Sequence, residues 1–425
     1  MTIIKEWSIY SSTGDVFDGK NLISTWNKEN KCWSKNTENI DYSFPELQNS
    51  KFCEQGLEKL DKANICQDIY YSQDGTSIVT VNSDYGIRQY LIPDESKDER
   101  TNKTTMVPFK RFFKPQSIVS STVHPNYSIF NENSDSNLIL LSLRDMPLQA
   151  VSLSVNNNSQ NKPIFKYDLM NSQNERFNTP YTVKFCAENQ FLTGSMRNVI
   201  SLYDVNKKEP IWTFKPTKRS INKSHNKAIV SCFNETSYEN ISAVFMYFGT
   251  YKNEVGRVDK RQPIADIIYS SKGGNGIYQL ISSNNEHFMY SFKRNSETIE
   301  VLDIRKNCRK VNEIMVPFKI KNQKFKGTLT ASNGLLLGTD YGSIIQWSSS
   351  AIEFGGLCMD NNSKNDSVLE KTELKVQTCC SRINIVKSNP NDSDSIAISH
   401  SPDKFNLNNQ TDIYSGLTLL KCSID

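Results

Sequence analysis

Three stretches of this chain concentrate cations, and one of them sets the cations among aromatic rings closely enough to serve nucleic-acid contact. From Thr101 to Gln116 every charge is basic, Lys103, Lys110, Arg111 and Lys114, and Phe109, Phe112 and Phe113 interleave them. Cations reach phosphates and rings stack on bases, so this composition suits RNA. Lys110, Arg111, Phe113 and Lys114 are therefore candidate RNA or partner contacts, expected on an exposed connector where joint replacement of the three cations by Ala leaves the fold intact. A second stretch carries Lys207, Lys208, Lys215, Lys218, Arg219, Lys223 and Lys227 against Glu209 alone, and adds Lys218 and Arg219 to the candidates. Its paired cations, Lys207-Lys208 and Lys218-Arg219, also suit a bipartite nuclear import signal. A third stretch runs from Arg305 to Lys326 with Glu313 as its sole acid. Solvated loops give the same charge runs, so each stretch is a hypothesis about a surface.

Other chemistry finds little support. The sequence has no phosphate-binding loop, no Gly-rich dinucleotide turn, no His-Glu-x-x-His and no Gly-x-Ser-x-Gly elbow. His124, His225, His287 and His400 are far apart, with His287 expected in a strand and the others in loops, so a catalytic or metal site requires the fold to bring them together. The adjacent Cys379-Cys380 pair lacks the gap of zinc or thiol-redox ligands, and the remaining cysteines are scattered, which reads as reduced, partly buried thiols. No catalytic residue, metal or cofactor is expected, and the chain reads as a non-enzyme. The net charge of +4 over 425 residues is too small to argue for nucleic acid by itself. The residues before Trp7 have no apolar signal core and no run approaches a membrane span, which predicts a soluble intracellular protein.

These residues are carried by a recurring phrase: an apolar strand, a turn with Asp, Asn or Gly, and a second strand closing on Tyr, Leu or Trp. It reads Ser77 to Val81 then Asp84 to Tyr90, Phe191 to Ser195 then Asn198 to Asp204, and Leu335 to Thr339 then Asp340 to Trp347. A repeated hairpin of this kind is the inner part of a propeller blade, and the length suits a closed ring. The expected fold is all-β, a seven-bladed β-propeller with degenerate WD40-like repeats and polar insertions. Residues 1–60 form an N-terminal segment and 61–425 the propeller, with irregular insertions near 348–380 and 387–412 and strand character in the last third only at Arg382 to Val386, Ser395 to Ser399 and Thr418 to Cys422. Rings commonly close by pairing the two ends of the chain, so Trp7 to Tyr10 are expected beside Leu417 to Ser423 in the last blade. The pentapeptide Met106-Val107-Pro108-Phe109-Lys110 recurs as Met315-Val316-Pro317-Phe318-Lys319, read as two entries into a blade from a basic connector, through shared packing or coincidence.

Ile65 to Pro93, with Asp74-Gly75-Thr76-Ser77-Ile78-Val79-Thr80 and Ser83-Asp84-Tyr85-Gly86-Ile87-Arg88-Gln89-Tyr90, resembles the first blade of the telomerase Cajal body protein family. Ser142-Leu143-Arg144-Asp145-Met146-Pro147-Leu148 is similar to that family's next blade, with the Arg and Pro kept and the Trp-Asp lost. Phe191 to Gly194 with Val199 to Asp204, and then Ile229-Val230-Ser231-Cys232, continue the resemblance in order over about residues 60–350. The absence of Trp-Asp pairs and of Gly-His dipeptides and the long Asn-rich insertions set the chain apart and look like the family's budding-yeast, splicing-associated branch. The resemblance implies a nuclear WD-repeat factor in pre-mRNA splicing. Its implied partners are small nuclear ribonucleoproteins and splicing proteins, with the U1 particle stabilised at the 5′ splice site and RNA contacted directly or through protein. The family's animal branch implies instead a carrier of telomerase or small Cajal-body RNAs, and a pure protein scaffold is the third alternative. No membrane and no small-molecule substrate is implied.

Overall fold

A computed structural model describes residues 6–14, 17, 25–27, 32–34, 64–93, 104–131, 134–154, 162–171, 176–216, 228–235, 243–349, 352, 371–375, 382–403, 405 and 415–423. Within them the strands form seven antiparallel four-stranded units, one after another along the chain. This is the seven-bladed all-β propeller that the repeated hairpin predicts. The best-preserved unit, the third blade, runs Thr182–Ala187, Gln190–Gly194, Ile200–Asp204 and Pro210–Phe214. Its second and third strands are buried on both faces, whereas its outer strand is only partly so. A blade middle must be apolar throughout because neighbouring blades cover both sides of it.

The ring closes on its own beginning. Glu6–Ser12 pairs antiparallel with Gly416–Ser423, Trp7 opposite Cys422 and Ile9 opposite Leu420, as the outer strand of the seventh blade. The short strand Thr104–Thr105 then runs parallel to it, Ser11 opposite Thr104. Core clusters sit between blades rather than at one centre: one joins the fifth blade to the sixth through Phe292, Val301, Leu337, Ile345 and Trp347. Another joins the first to the seventh through Ile69, Ile78, Tyr90, Ile385 and Leu417.

The outer strands depart most from the sequence reading. Thr101 to Gln116 reads as a connector, yet Pro108–Phe113 is the outer strand of the first blade, Ile87 opposite Phe112. The third basic stretch likewise holds the twelve-residue strand Arg309–Ile320, outer strand of the fifth blade. Within the segment expected as an insertion near 348–380 lies Lys371–Lys375, outer strand of the sixth blade, while the strand read at Ser395 to Ser399 is present as Ser395–His400, second strand of the seventh. An outer strand faces water on one side and carries charges, so it lacks the apolar run that marks the middle of a blade.

The second pentapeptide copy lies on an outer strand and the first runs into one at Pro108, but the two are in opposite phase. Met106, Pro108 and Lys110 are buried in the first copy, whereas Val316 and Phe318 are buried in the second. A one-residue shift turns every side chain to the other face, so the two copies share no packing role. Met106 is 2% exposed and Met315 64%. Met106→Ala should therefore cost about 2–5 kcal/mol in urea denaturation, and Met315→Ala less than about 0.5 kcal/mol. Leu337→Ala, within the cluster between the fifth and sixth blades, belongs with the first.

Candidate functional site: the basic turn face and the channel

Each blade enters along its innermost strand, so the turns between second and third strands lie on the same face as the connectors between blades. Four successive blades carry one signature there. A cation is followed by Asp or Asn: Arg144-Asp145, Arg197-Asn198, Lys252-Asn253 and Arg294-Asn295. The Asx residues take left-handed backbone, φ 55°, 55°, 61° and 51° in that order. Short polar Asp and Asn side chains tolerate that conformation best, which is why the turn type selects them. The preceding cation is then displayed at the tip of the turn. Arg144, Arg197 and Lys252 are exposed and Arg294 half-buried, and the connectors add exposed Lys272, Lys321 and Lys324. The opposite face is mixed: its turns carry Asp74, Glu188, Asp204, Glu286, Asp392 and Asp394, but also the exposed cations Lys207, Lys208, Arg261, Arg305 and Lys306.

The innermost strands line the channel, and charge crosses it. Lys326 Nζ donates to Asp68 Oδ2 at 2.7 Å, joining the sixth blade to the first. Lys387 Nζ donates to Glu235 Oε2 at 2.6 Å, joining the seventh blade to the fourth, on the far side of the ring. Gln279 Nε2 donates both to Glu235 Oε1 and to the Gly327 carbonyl at 2.9 Å, tying in the fifth blade. Lys184 occupies the third position of its inner strand, the depth at which Asp68 sits in its own. Burial raises the Glu235 carboxyl, but Lys387, Lys184 and Lys326 outweigh it and hold the group at about 2. Enclosure lowers the Lys184 ammonium, the cations Lys387 and Lys326 pulling the same way and the two carboxylates opposing. Lys324 reaches water at the channel mouth, yet protein encloses it and holds it at about 8, with Lys326 and Arg294 as further causes. Four lysines face two carboxylates here, so the channel carries surplus positive charge continuous with the turn face.

The residues singled out by composition lie elsewhere. Lys110 is 5% exposed and Lys114 2%, with Arg111 also buried, so the expectation of exposed cations is corrected. Lys110 Nζ donates to the Ser154 carbonyl at 2.6 Å, fastening the first blade to the second. Lys114 lies over the Phe112 ring at 5.6 Å, and the Arg88 guanidinium over Phe113 at 5.3 Å. Burial pushes both Lys110 and Lys114 down to about 8. The second blade covers this outer strand, and composition alone does not show which side a strand presents. Lys218 and Arg219 lie outside the described residues.

His287 stands in an exposed turn ahead of Phe288–Lys293, not in a strand. His124 is buried, its Nε2 bonded to the Glu188 carbonyl at 2.8 Å, and His400 ends a strand of the seventh blade. His225 lies outside the described residues. Among the described residues no three His, Cys, Asp or Glu side chains gather as metal ligands. Cys186 and Cys232 are buried as expected, and burial raises both thiols to about 12.

The recurring Lys/Arg-Asx pair was legible in the sequence, at one position of each of four blades, but only once the blades are aligned on one another. Charged residues inside apolar inner strands, Asp68, Lys184 and Glu235, were the corresponding signal for the channel.

A chain of this architecture has full-length relatives. The protein named Protein SWT21 of Vanderwaltozyma polyspora is 44% identical over 429 residues, covering 99% of each chain. The chain belongs to the SWT21 family. Its Zygosaccharomyces rouxii relative is 40% identical over 97% of both chains, and that of Saccharomyces cerevisiae strain YJM789 is 35% identical over 80% of this chain and 97% of its own. No family model matches the chain.

Two measurements test these assignments. Lys110→Ala should destabilise by about 1–3 kcal/mol, because the Ser154 carbonyl loses its donor; urea denaturation that leaves the midpoint unchanged contradicts the buried placement. Glu235 is held below its usual 4.5, so it contributes stability above that pH and loses it as pH falls toward 2. The stability advantage of the native chain over Glu235→Gln should therefore be full above about pH 5 and vanish toward pH 2.

Proposed function

We propose that this member of the SWT21 family is a non-catalytic nuclear WD-repeat factor of pre-mRNA splicing that associates with small nuclear ribonucleoproteins and helps hold the U1 particle at the 5′ splice site. The observation that carries the proposal is the arc of turn cations, Arg144, Arg197, Lys252 and Arg294, on one face of the ring. A propeller offers flat ends for partners, and a ribonucleoprotein presents phosphate to a basic end. The sequence resemblance to the telomerase Cajal body protein family points the same way and supplies the splicing context.

RNA contact is assigned to this turn face. The outer strand of the first blade is not used, since its cations are occupied in packing. The carrier of telomerase or small Cajal-body RNAs uses the same surface chemistry and differs in the RNA held; a protein scaffold needs no RNA.

A tagged pull-down from nuclear extract, with co-purifying RNAs sequenced and proteins identified, tests the proposal. U1 and other spliceosomal RNAs should be enriched, and the combined Arg144→Ala, Arg197→Ala and Lys252→Ala variant should lose them while its melting temperature stays unchanged. With purified protein, three lost phosphate contacts to a single strand should lower the salt slope by about 2. Telomerase RNA in the eluate would favour the carrier, and spliceosomal proteins without RNA the scaffold.

A further inference from the structure

Between the fourth and fifth blades the turn face has a glycine loop, 271–276, beside the turn Tyr251-Lys252-Asn253. Gly273, Gly274 and Gly276 all take positive φ, 81°, 75° and 85°. Any other L residue is strained there, and a Cβ on Gly276 would lie 2.9 Å from Tyr251 Cα and 3.0 Å from its Cδ1. Glycine is what lets the loop approach the ring.

The loop is fixed from three sides. Asn253 Nδ2 donates to the carbonyls of Gly273 and Gly274 at 2.9 and 2.8 Å, while Asn253 Oδ1 accepts from Gly276 N. Asn275 N donates to the Arg294 carbonyl at 2.7 Å, and Arg294 N to the Gly276 carbonyl at 3.0 Å. At its base Ser271 Oγ donates to Glu300 Oε1 at 2.6 Å, and Lys293 Nζ binds both, at 2.8 Å and 2.9 Å. This ion pair is buried on both sides.

What the loop holds in place is unused. The backbone N–H groups of Gly273 and Gly274 have no acceptor among the described residues, and the space beside Gly273 is open. Lys272 is exposed beside them. Arg294 lays its guanidinium over the Tyr251 ring at 5.0 Å, and its buried Nε–H has no acceptor. Tyr251 is 36% exposed. Backbone donors and cations suit a phosphate, and an exposed ring backed by a guanidinium suits a base.

We propose that this junction binds one nucleotide of single-stranded RNA, its base stacked on Tyr251 and its phosphate held by the Gly273–Gly274 amides, Lys272 and Arg294. The proposal rests on the RNA-contact reading above and gives it a position on the ring. Stacking serves every base, so the junction contributes affinity and register rather than sequence choice.

Fluorescence anisotropy of a labelled oligouridylate with the full chain tests it. Tyr251→Ala should weaken binding about 5- to 150-fold with the salt slope unchanged, whereas Tyr251→Phe stays within about 2-fold of the native chain. Lys272→Ala should lower the salt slope by about 0.7. Tyr341→Ala, which removes an exposed tyrosine from the sixth blade's turn, should leave binding unchanged. The proposal is overturned if the native chain does not bind the oligouridylate, if Tyr251→Ala binds as tightly, or if Tyr251→Phe and Tyr341→Ala lose as much as it does. The splicing reading fails separately. Tyr251-dependent binding of the oligouridylate with no spliceosomal RNA in the pull-down leaves the nucleotide site standing without its U1 assignment, and spliceosomal RNA recovered equally with Tyr251→Ala does the reverse.

Discussion

Everything displayed by this protein depends on the pairing of Glu6–Ser12 with Gly416–Ser423. A ring of sheets has no stable open form of the same packing, because each blade is covered on both sides by its neighbours. Without the first strand, the seventh blade would end on the bare edge of Gly416–Ser423, a template for pairing with another chain. The closure also joins residues about four hundred positions apart, Ser12 Oγ and Thr418 Oγ1 lying 3.0 Å from one another. Such long-range pairing costs loop-closure entropy before it returns any contact, so the ring is expected to complete late in folding.

With the ring shut, the turns are held at fixed positions around one face, and turn chemistry decides what they show. Left-handed Asx residues set the four basic turns, and three positive-φ glycines set the loop beside Tyr251. Beneath that loop lies the buried Lys293–Glu300 pair. Burying two charges roughly offsets their attraction, but removing one partner leaves the other uncompensated. The loop's conformation is thus tied to the interior of the fifth blade through Ser271.

Much of the architecture was legible in the sequence. The hairpins at Ser77–Asn82, Gln190–Gly194 and Leu335–Gly338 carry apolar residues on both faces, and only a strand covered on both sides needs them. The outer strands were not legible, because Pro108–Phe113 and Arg309–Ile320 hold charges that imitate a basic connector. The exposure expected of the cations there was misread for the same reason. Lys110 and Lys114 have the composition of a nucleic-acid contact, but which side a strand turns to its neighbour is set by the adjacent blade, far along the chain. Arg197 and Lys252 belong to no charge run and gain meaning only when four turns are laid over one another.

The ion pairs spanning the channel have a consequence for how partners share the molecule. While Lys326 meets Asp68 and Lys387 meets Glu235, an extended chain cannot thread the ring. The propeller then behaves as a closed disc rather than a bead on a strand. Any partner must then dock on a face or rim and leave the same way, with no need of a free chain end, and what rests on one flat end does not compete for room with what rests on the other.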